Sequence, residues 1–164
     1  MISITALLNA KNDASRLGRC LETLYPCDEI LVIDHGSTDE TVHVAREYGS
    51  KILGLNGSAG ARVALSASRF ISKGWVLCLD PREALTEALA ASLFEWKLNA
   101  DVNGAQRQAF AVLLREENAN GWTENPVAQT RLVPATWSRW NGMFPANERS
   151  SRTLEGKLLR FAFP

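Results

Sequence analysis

The stretch Glu29-Ile30-Leu31-Val32-Ile33-Asp34-His35-Gly36-Ser37-Thr38-Asp39-Glu40-Thr41-Val42 puts a carboxylate and free backbone donors at the end of an apolar run. In open α/β sheets ligands bind outside the carboxyl ends of the strands, so Asp34 stands where the base or ribose of a nucleotide is read. Gly36 allows the tight turn that follows, and Ser37 or Thr38 is expected to cap the next helix. The same turn also serves as a plain strand-to-helix connection in any doubly wound protein, and on this motif alone the two readings carry equal weight. Asp80 ends a second apolar run, Trp75 to Leu79, while His35 and His43 pair with no nucleophile. Trp137, Trp140 and Phe144 form an aromatic cluster late in the chain, and three aromatics near a chain end more often pack a satellite core than face a ligand.

Such side chains need a sheet edge to hold them. Ile30 to Ile33 is unbroken and rich in β-branched residues, as in a parallel strand covered on both faces. Around it the pattern predicts a strand over Ile2 to Leu8, a helix over Ala14 to Leu24 with Leu17, Cys20, Leu21 and Leu24 on one face, and a strand over Glu29 to Asp34. A second helix over Thr38 to Tyr48 closes at Gly49; Lys51 to Leu53 is a short strand, Ser58 to Ser72 a helical segment, and Trp75 to Asp80 a buried strand. Leu85 to Leu98 reads as a long amphipathic helix and Asn99 to Gly104 as a turn-rich boundary. Beyond it, Ala109 to Arg115 and Ala128 to Val133 read as strands joined by a polar loop, Glu116 to Pro126, and Leu154 to Phe161 as a last strand returning to the sheet. The expectation is an α/β fold, a Rossmann-like, mainly parallel sheet flanked by helices, with a small mixed C-terminal part.

Composition sets the frame. The chain has 164 residues, 46% hydrophobic and 22% charged, enough for one substantial core rather than two. Eighteen basic and eighteen acidic residues cancel, leaving no net field to draw in nucleic acid or an anionic membrane surface. Cys20, Cys27 and Cys78 fit no zinc spacing and predict buried thiols in a reducing compartment. With a strand at the very start, no basic leader and no long apolar stretch, a soluble cytoplasmic protein without an integral membrane segment is expected.

Four segments in order resemble the family 2 glycosyltransferases of GT-A fold, especially the branch that adds sugars to lipopolysaccharide cores. They are Ile4 to Asp13 with Lys11-Asn12-Asp13; Asp34-His35-Gly36-Ser37-Thr38-Asp39; Trp75 to Glu83 with Leu85-Thr86; and Gln129 to Val133 through Pro145-Ala146-Asn147-Glu148 to Leu154-Glu155-Gly156. The resemblance implies a single domain over 1–164, in which 1–100 holds the nucleotide and a shortened 101–164 faces the acceptor. It implies a nucleotide-sugar donor, a glycan or lipid-linked acceptor and transfer with inversion. Asn9 and Lys11 then flank the base, Asp34 and Gly36 belong to the base-reading turn, Arg62 matches a basic residue beside the uracil and phosphates, and Glu148 matches the catalytic base. Arg62 reads equally as a solvated helix residue, and Glu148 as a partner of Arg149 or Arg152.

The departures from that family matter most. Asp80 matches the first acid of the Asp-x-Asp site that holds Mg²⁺ or Mn²⁺, but Arg82 replaces the second, and Arg160 replaces a closing-strand histidine. Hard cations prefer carboxylate and phosphate oxygens, and a guanidinium repels them. Two parallel hydrogen bonds let arginine pair with a diphosphate instead. The expectation is therefore no metal or a weakly held one, with Asp80 and Glu83 as its ligands if any, and Arg82 and Arg160 on the diphosphate. Asn147 stands where the family has histidine, which suggests an altered acceptor site. The alternative is a catalytically silent relative that binds a nucleotide or a partner protein, or assembles as a homo-oligomer, since a fold outlives its chemistry.

Overall fold

The computed structural model describes residues 2–55, 70–71, 73–100 and 108–164. The expected helical segment Ser58 to Ser72 falls almost wholly outside the described residues, and Arg62 with it. The elements are β1 (Ile4–Ala10), α1 (Ala14–Glu22), β2 (Glu29–Asp34), α2 (Thr41–Glu47), β3 (Lys51–Gly54), β4 (Trp75–Leu79), β5 (Glu83–Leu85), α3 (Glu87–Asn99), β6 (Phe110–Asn118), β7 (Gly121–Glu124), β8 (Gln129–Pro134), β9 (Trp140–Asn141), β10 (Phe144–Pro145) and β11 (Arg152–Arg160). Among the described residues, nine strands form one sheet in the order β3-β2-β1-β4-β8-β6-β11-β5, with β7 paired to β6, while β9 and β10 form a separate hairpin.

β3, β2, β1 and β4 run parallel, and β8, antiparallel to β4, begins the mixed part. The unbroken apolar runs hide a strict alternation. Ile4, Ala6, Leu8 and Ala10 of β1, with Trp75, Leu77 and Leu79 of β4, face the cluster closed by Leu17, Cys20 and Leu21 of α1 and Leu89 and Leu93 of α3. Leu7, Leu31, Ile33, Val76 and Cys78 face the other way, toward Val133, Trp137, Trp140 and Phe144. The strands are apolar throughout because both faces are covered. The late aromatics thus serve as packing for the second face, and all three cysteines are free thiols. Burial pushes the Cys27 and Cys78 thiols up to about 12.

Three expected elements differ. The second helix starts at Thr41 instead of Thr38, because Ser37 and Thr38 are drawn into bonds with the β1–α1 turn. The polar stretch expected as a loop over Glu116 to Pro126 is a hairpin: β6 runs on to Asn118 and pairs with β7, turning at Ala119-Asn120. Its residues are polar because this end of β6 carries half-buried and exposed side chains. α3 is apolar on two sides, with Leu89, Ala90 and Leu93 inside and Phe94 and Leu98 exposed, rather than amphipathic. Among the described residues, no helix is long and apolar enough to cross a membrane.

Register decides the position of the site. Ala10 pairs with Asp34 and Leu8 with Leu79, so β2 and β4 deliver Asp34 and Asp80 to the same edge of the sheet. The last strand does return: Arg160 lies opposite Glu83 across β11 and β5.

Candidate functional site

Two turns at this edge are stitched together. The Asn12 N–H donates to Ser37 Oγ at 2.9 Å, and Asn12 Oδ1 accepts from the Thr38 N–H at 2.8 Å. One residue later the Asp13 N–H donates to Thr41 Oγ1 at 2.8 Å, and the Ala14 N–H to Asp39 Oδ2 at 3.2 Å. Asn12 adopts a φ of 53°, tolerable for asparagine, and Gly36 one of 78°. The β1–α1 and β2–α2 turns therefore form one rigid lip.

Asp34, 7% exposed, accepts from Ser37 Oγ at 2.5 Å and from the Ser37 N–H at 3.2 Å. Those bonds fix its rotamer. Asn9 Oδ1 meets His35 Nε2 at 2.8 Å, and Lys11 is exposed on the lip. Asn9, Lys11, Asp34 and Gly36 are thus gathered at one place.

At the end of β4 the turn Pro81-Arg82 folds back on Asp80. Arg82 Nε and Nη2 reach Asp80 Oδ1 and Oδ2 at 2.9 and 3.1 Å, and the Arg82 N–H adds a bond to Oδ1 at 2.9 Å. Burial pushes the Asp80 carboxyl up, but the hydrogen bonds and charge of Arg82, with the Arg160 charge behind them, outweigh it and hold the group below the usual carboxylate range. Asp13 shows the reverse. Its burial, with the charges of Asp80 and Asp39, raises it above the ordinary value despite the Lys11 N–H and Arg16.

Glu83 is fully buried. Its carboxylate accepts from Arg131 Nη1 and Nη2 at 2.7 and 3.0 Å, from Arg160 Nη2 and Nε at 2.9 and 3.2 Å, and from the Asp80 N–H at 2.7 Å. Arg160 gives its remaining nitrogen, Nη1, to Glu116 at 3.2 Å. The two acids expected as ligands of a divalent ion, Asp80 and Glu83, are both engaged by guanidinium groups. As arranged, this donor set does not fit Mg²⁺ or Mn²⁺, which need several open oxygen ligands. Arg160, expected on the diphosphate, faces carboxylates on every nitrogen.

Glu148 lies outside this network. Its Oε1 pairs with Arg139 Nε at 2.7 Å, not with Arg149 or Arg152, and its N–H donates to Thr130 Oγ1 at 3.0 Å. Asn147 Oδ1 accepts from the Thr130 N–H at 3.0 Å. Sequence reasoning assigned no role to Arg131 or Asp13. Arg131 is 1% exposed, and only its burial shows that it needs a carboxylate partner; in the sequence it stands beside polar Gln129 and Thr130 and gives no such signal.

Residues 5–108 match the model of glycosyl transferase family 2. The chain belongs to this family. Among relatives, an uncharacterised glycosyltransferase of Rickettsia typhi is 30% identical over 54% of this chain and 31% of its own length. The lipopolysaccharide core biosynthesis glycosyltransferase LpsC of Rhizobium meliloti is 32% identical over 57% of this chain and 37% of its own. The chain thus spans about a third of the length of these curated relatives. In fold it is similar to the S. aureus TarS structure, with a TM-score of 0.54 and 16% identity over 82% of this chain and 28% of that one. It is equally similar to 4-diphosphocytidyl-2C-methyl-D-erythritol synthase, with a TM-score of 0.56 and 16% identity over 82% and 76%. At 16% identity these likenesses show the fold alone.

Proposed function

We propose that this family 2 chain binds a nucleotide-diphospho-sugar along the lip and the Asp80 turn, and transfers the sugar with inversion to a glycan or lipid-linked acceptor. Residues 1–100 hold the donor and 101–164 the acceptor side of one unit. The observation that carries the reading is the placement of Asp34, on the stitched turns, and the Asp80–Arg82 fork at the same sheet edge. Asp34 accepts from the base, with Asn9, Lys11 and Gly36 around it. The likeness to a lipopolysaccharide core enzyme supports a glycan acceptor.

In the transfer, the acceptor hydroxyl oxygen forms a bond to the anomeric carbon while the bond from that carbon to the diphosphate oxygen breaks. The hydroxyl proton passes to Glu148, and the nucleoside diphosphate leaves with the electron pair. Arg82 takes the place of a metal ion. Its fork on Asp80 uses Nε and Nη2 and leaves Nη1, on a side chain 45% exposed, to meet the departing diphosphate.

Calorimetric titration with UDP and other nucleoside diphosphates, in Mn²⁺ and in chelator, tests this. Binding in both, with affinity within a few-fold, is expected, and Arg82→Asp should lose binding or make it depend on Mn²⁺. Collapse of the wild-type affinity in chelator would overturn the role given to Arg82. Absence of binding to every nucleotide would overturn the donor site.

A further inference from the structure

A cavity of about 260 Å³ opens beside the Glu83 network, between β8, β10 and the end of β11. Buried Arg131 forms its floor, Phe144 and Arg160 its walls, and exposed Asn141 and Asn147 part of its rim, with Gln129 beside them. Two guanidinium groups in one cavity ordinarily mark an anion site. Here their hydrogen bonds are already directed elsewhere. Arg160 gives all three nitrogens to Glu83 and Glu116. Arg131 gives Nη1 to Glu83 and the Cys78 carbonyl, gives Nη2 to Glu83 and Gln129 Oε1, and lies 4.2 Å over the Phe144 ring. Two cations against two carboxylates leave little net charge, and an incoming anion would have to displace Glu83, which is 0% exposed.

What remains for a ligand is neutral. Gln129 spends its carbonyl oxygen on Arg131 and Asn147 spends its own on the Thr130 N–H, so each keeps amide N–H donors; Asn141 brings a donor and an acceptor. Amide groups around a partly aromatic wall suit vicinal hydroxyls. The volume falls just below the range of about 300–1,000 Å³ that takes drug-sized ligands, so it has room for one ring rather than a chain. Thr130 also ties this cavity to Glu148, whose N–H bonds to its hydroxyl at 3.0 Å.

We propose that this cavity is an acceptor subsite for a single uncharged sugar unit, read by the side-chain amides of Gln129, Asn141 and Asn147, and that it discriminates against phosphorylated or carboxylated sugars. The proposal rests on the transferase reading for its acceptor role.

The test is ligand-observed NMR titration of the full chain with methyl glycosides of glucose, galactose, mannose and N-acetylglucosamine, with glucose 6-phosphate and inorganic phosphate as anionic probes. At least one methyl glycoside should give saturable binding, and Asn141→Ala and Gln129→Ala should each weaken it by about fivefold, the effect of one lost hydrogen bond. Asn141 is exposed, and an unchanged thermal midpoint confirms that its variant is folded. Binding of no glycoside, tighter binding of phosphate or glucose 6-phosphate than of any glycoside, or glycoside binding unmoved by both variants would each overturn the proposal. Nucleoside diphosphate binding, measured on the same samples, separates the two readings. Nucleotide binding without glycoside binding fells the subsite alone, whereas glycoside binding without nucleotide binding fells the transferase reading and leaves a sugar site.

Discussion

Asp80 and Arg82 form a closed charge pair at the end of β4. Where an acid at position 82 would add negative charge beside Asp80, the guanidinium neutralises it and occupies both of its oxygens. This has a pH signature. The Asp80 carboxyl is held below its ordinary value of 3.8, so its pairing contributes stability that is fully present above 3.8 and is lost as pH falls through the lowered value. Asp28 and Asp39 are lowered as well, whereas Asp13 is raised and acts in the opposite sense. The wild-type curve is therefore a sum, and the difference between proteins isolates the pair. Arg82→Ala is expected to lower the thermal midpoint near neutral pH, with the gap to wild type closing as the pH is taken below 3.8. A gap constant across that range would mean that Arg82 stabilises the turn by packing and not by its charge.

At the scale of elements, Gly156 is the sharpest constraint. β11 carries a register shift between Thr153 and Lys157, and Gly156 there has a φ of 91°. A Cβ on it would lie 2.3 Å from the Leu89 nitrogen, in the first turn of α3. Gly156→Ala is expected to cost at least about 2 kcal/mol in urea unfolding, from the clash and the backbone conformation together. Gly142→Ala supplies the comparison, since Gly142 has a φ of 64° with open space around it and bears only the conformational cost of about 1 kcal/mol. Equal losses would show that the approach of β11 to α3 relaxes freely. Elements held by their own pattern were readable in the sequence: the apolar runs of β1, β2 and β4, and the Leu17-Cys20-Leu21 face of α1. Those decided by partners far along the chain were not. The start of α2 depends on Asn12, 25 residues before Ser37, and the β6–β7 hairpin needs Phe161 against Trp122, with ring centroids 5.2 Å apart, to give its polar strands an apolar contact.

For the molecule as a whole, Glu83 is the joint between the two halves of the sheet. It belongs to β5, yet its partners come from β8, β11 and the end of β4, at sequence separations of 48 and 77 for Arg131 and Arg160. Each residue is visible in the sequence as a charge, but their meeting follows only from the return of β11 beside β5. Their burial fixes the energetic consequence. Removing the carboxylate leaves Arg131, 2% exposed at its side chain, as an uncompensated buried cation, which costs about 3–5 kcal/mol. Arg160, 25% exposed and bound to Glu116, can still reach water and loses less. Glu83→Ala is therefore expected to destabilise by about 3–5 kcal/mol, and Glu83→Ala with Arg131→Met by less than the sum of the two single changes, because the second removes the charge that the first strands. Urea denaturation of the four proteins completes the cycle. Additive losses would mean that water reaches Arg131 once Glu83 is gone, and that the joint is held by strand pairing rather than by the buried ion network.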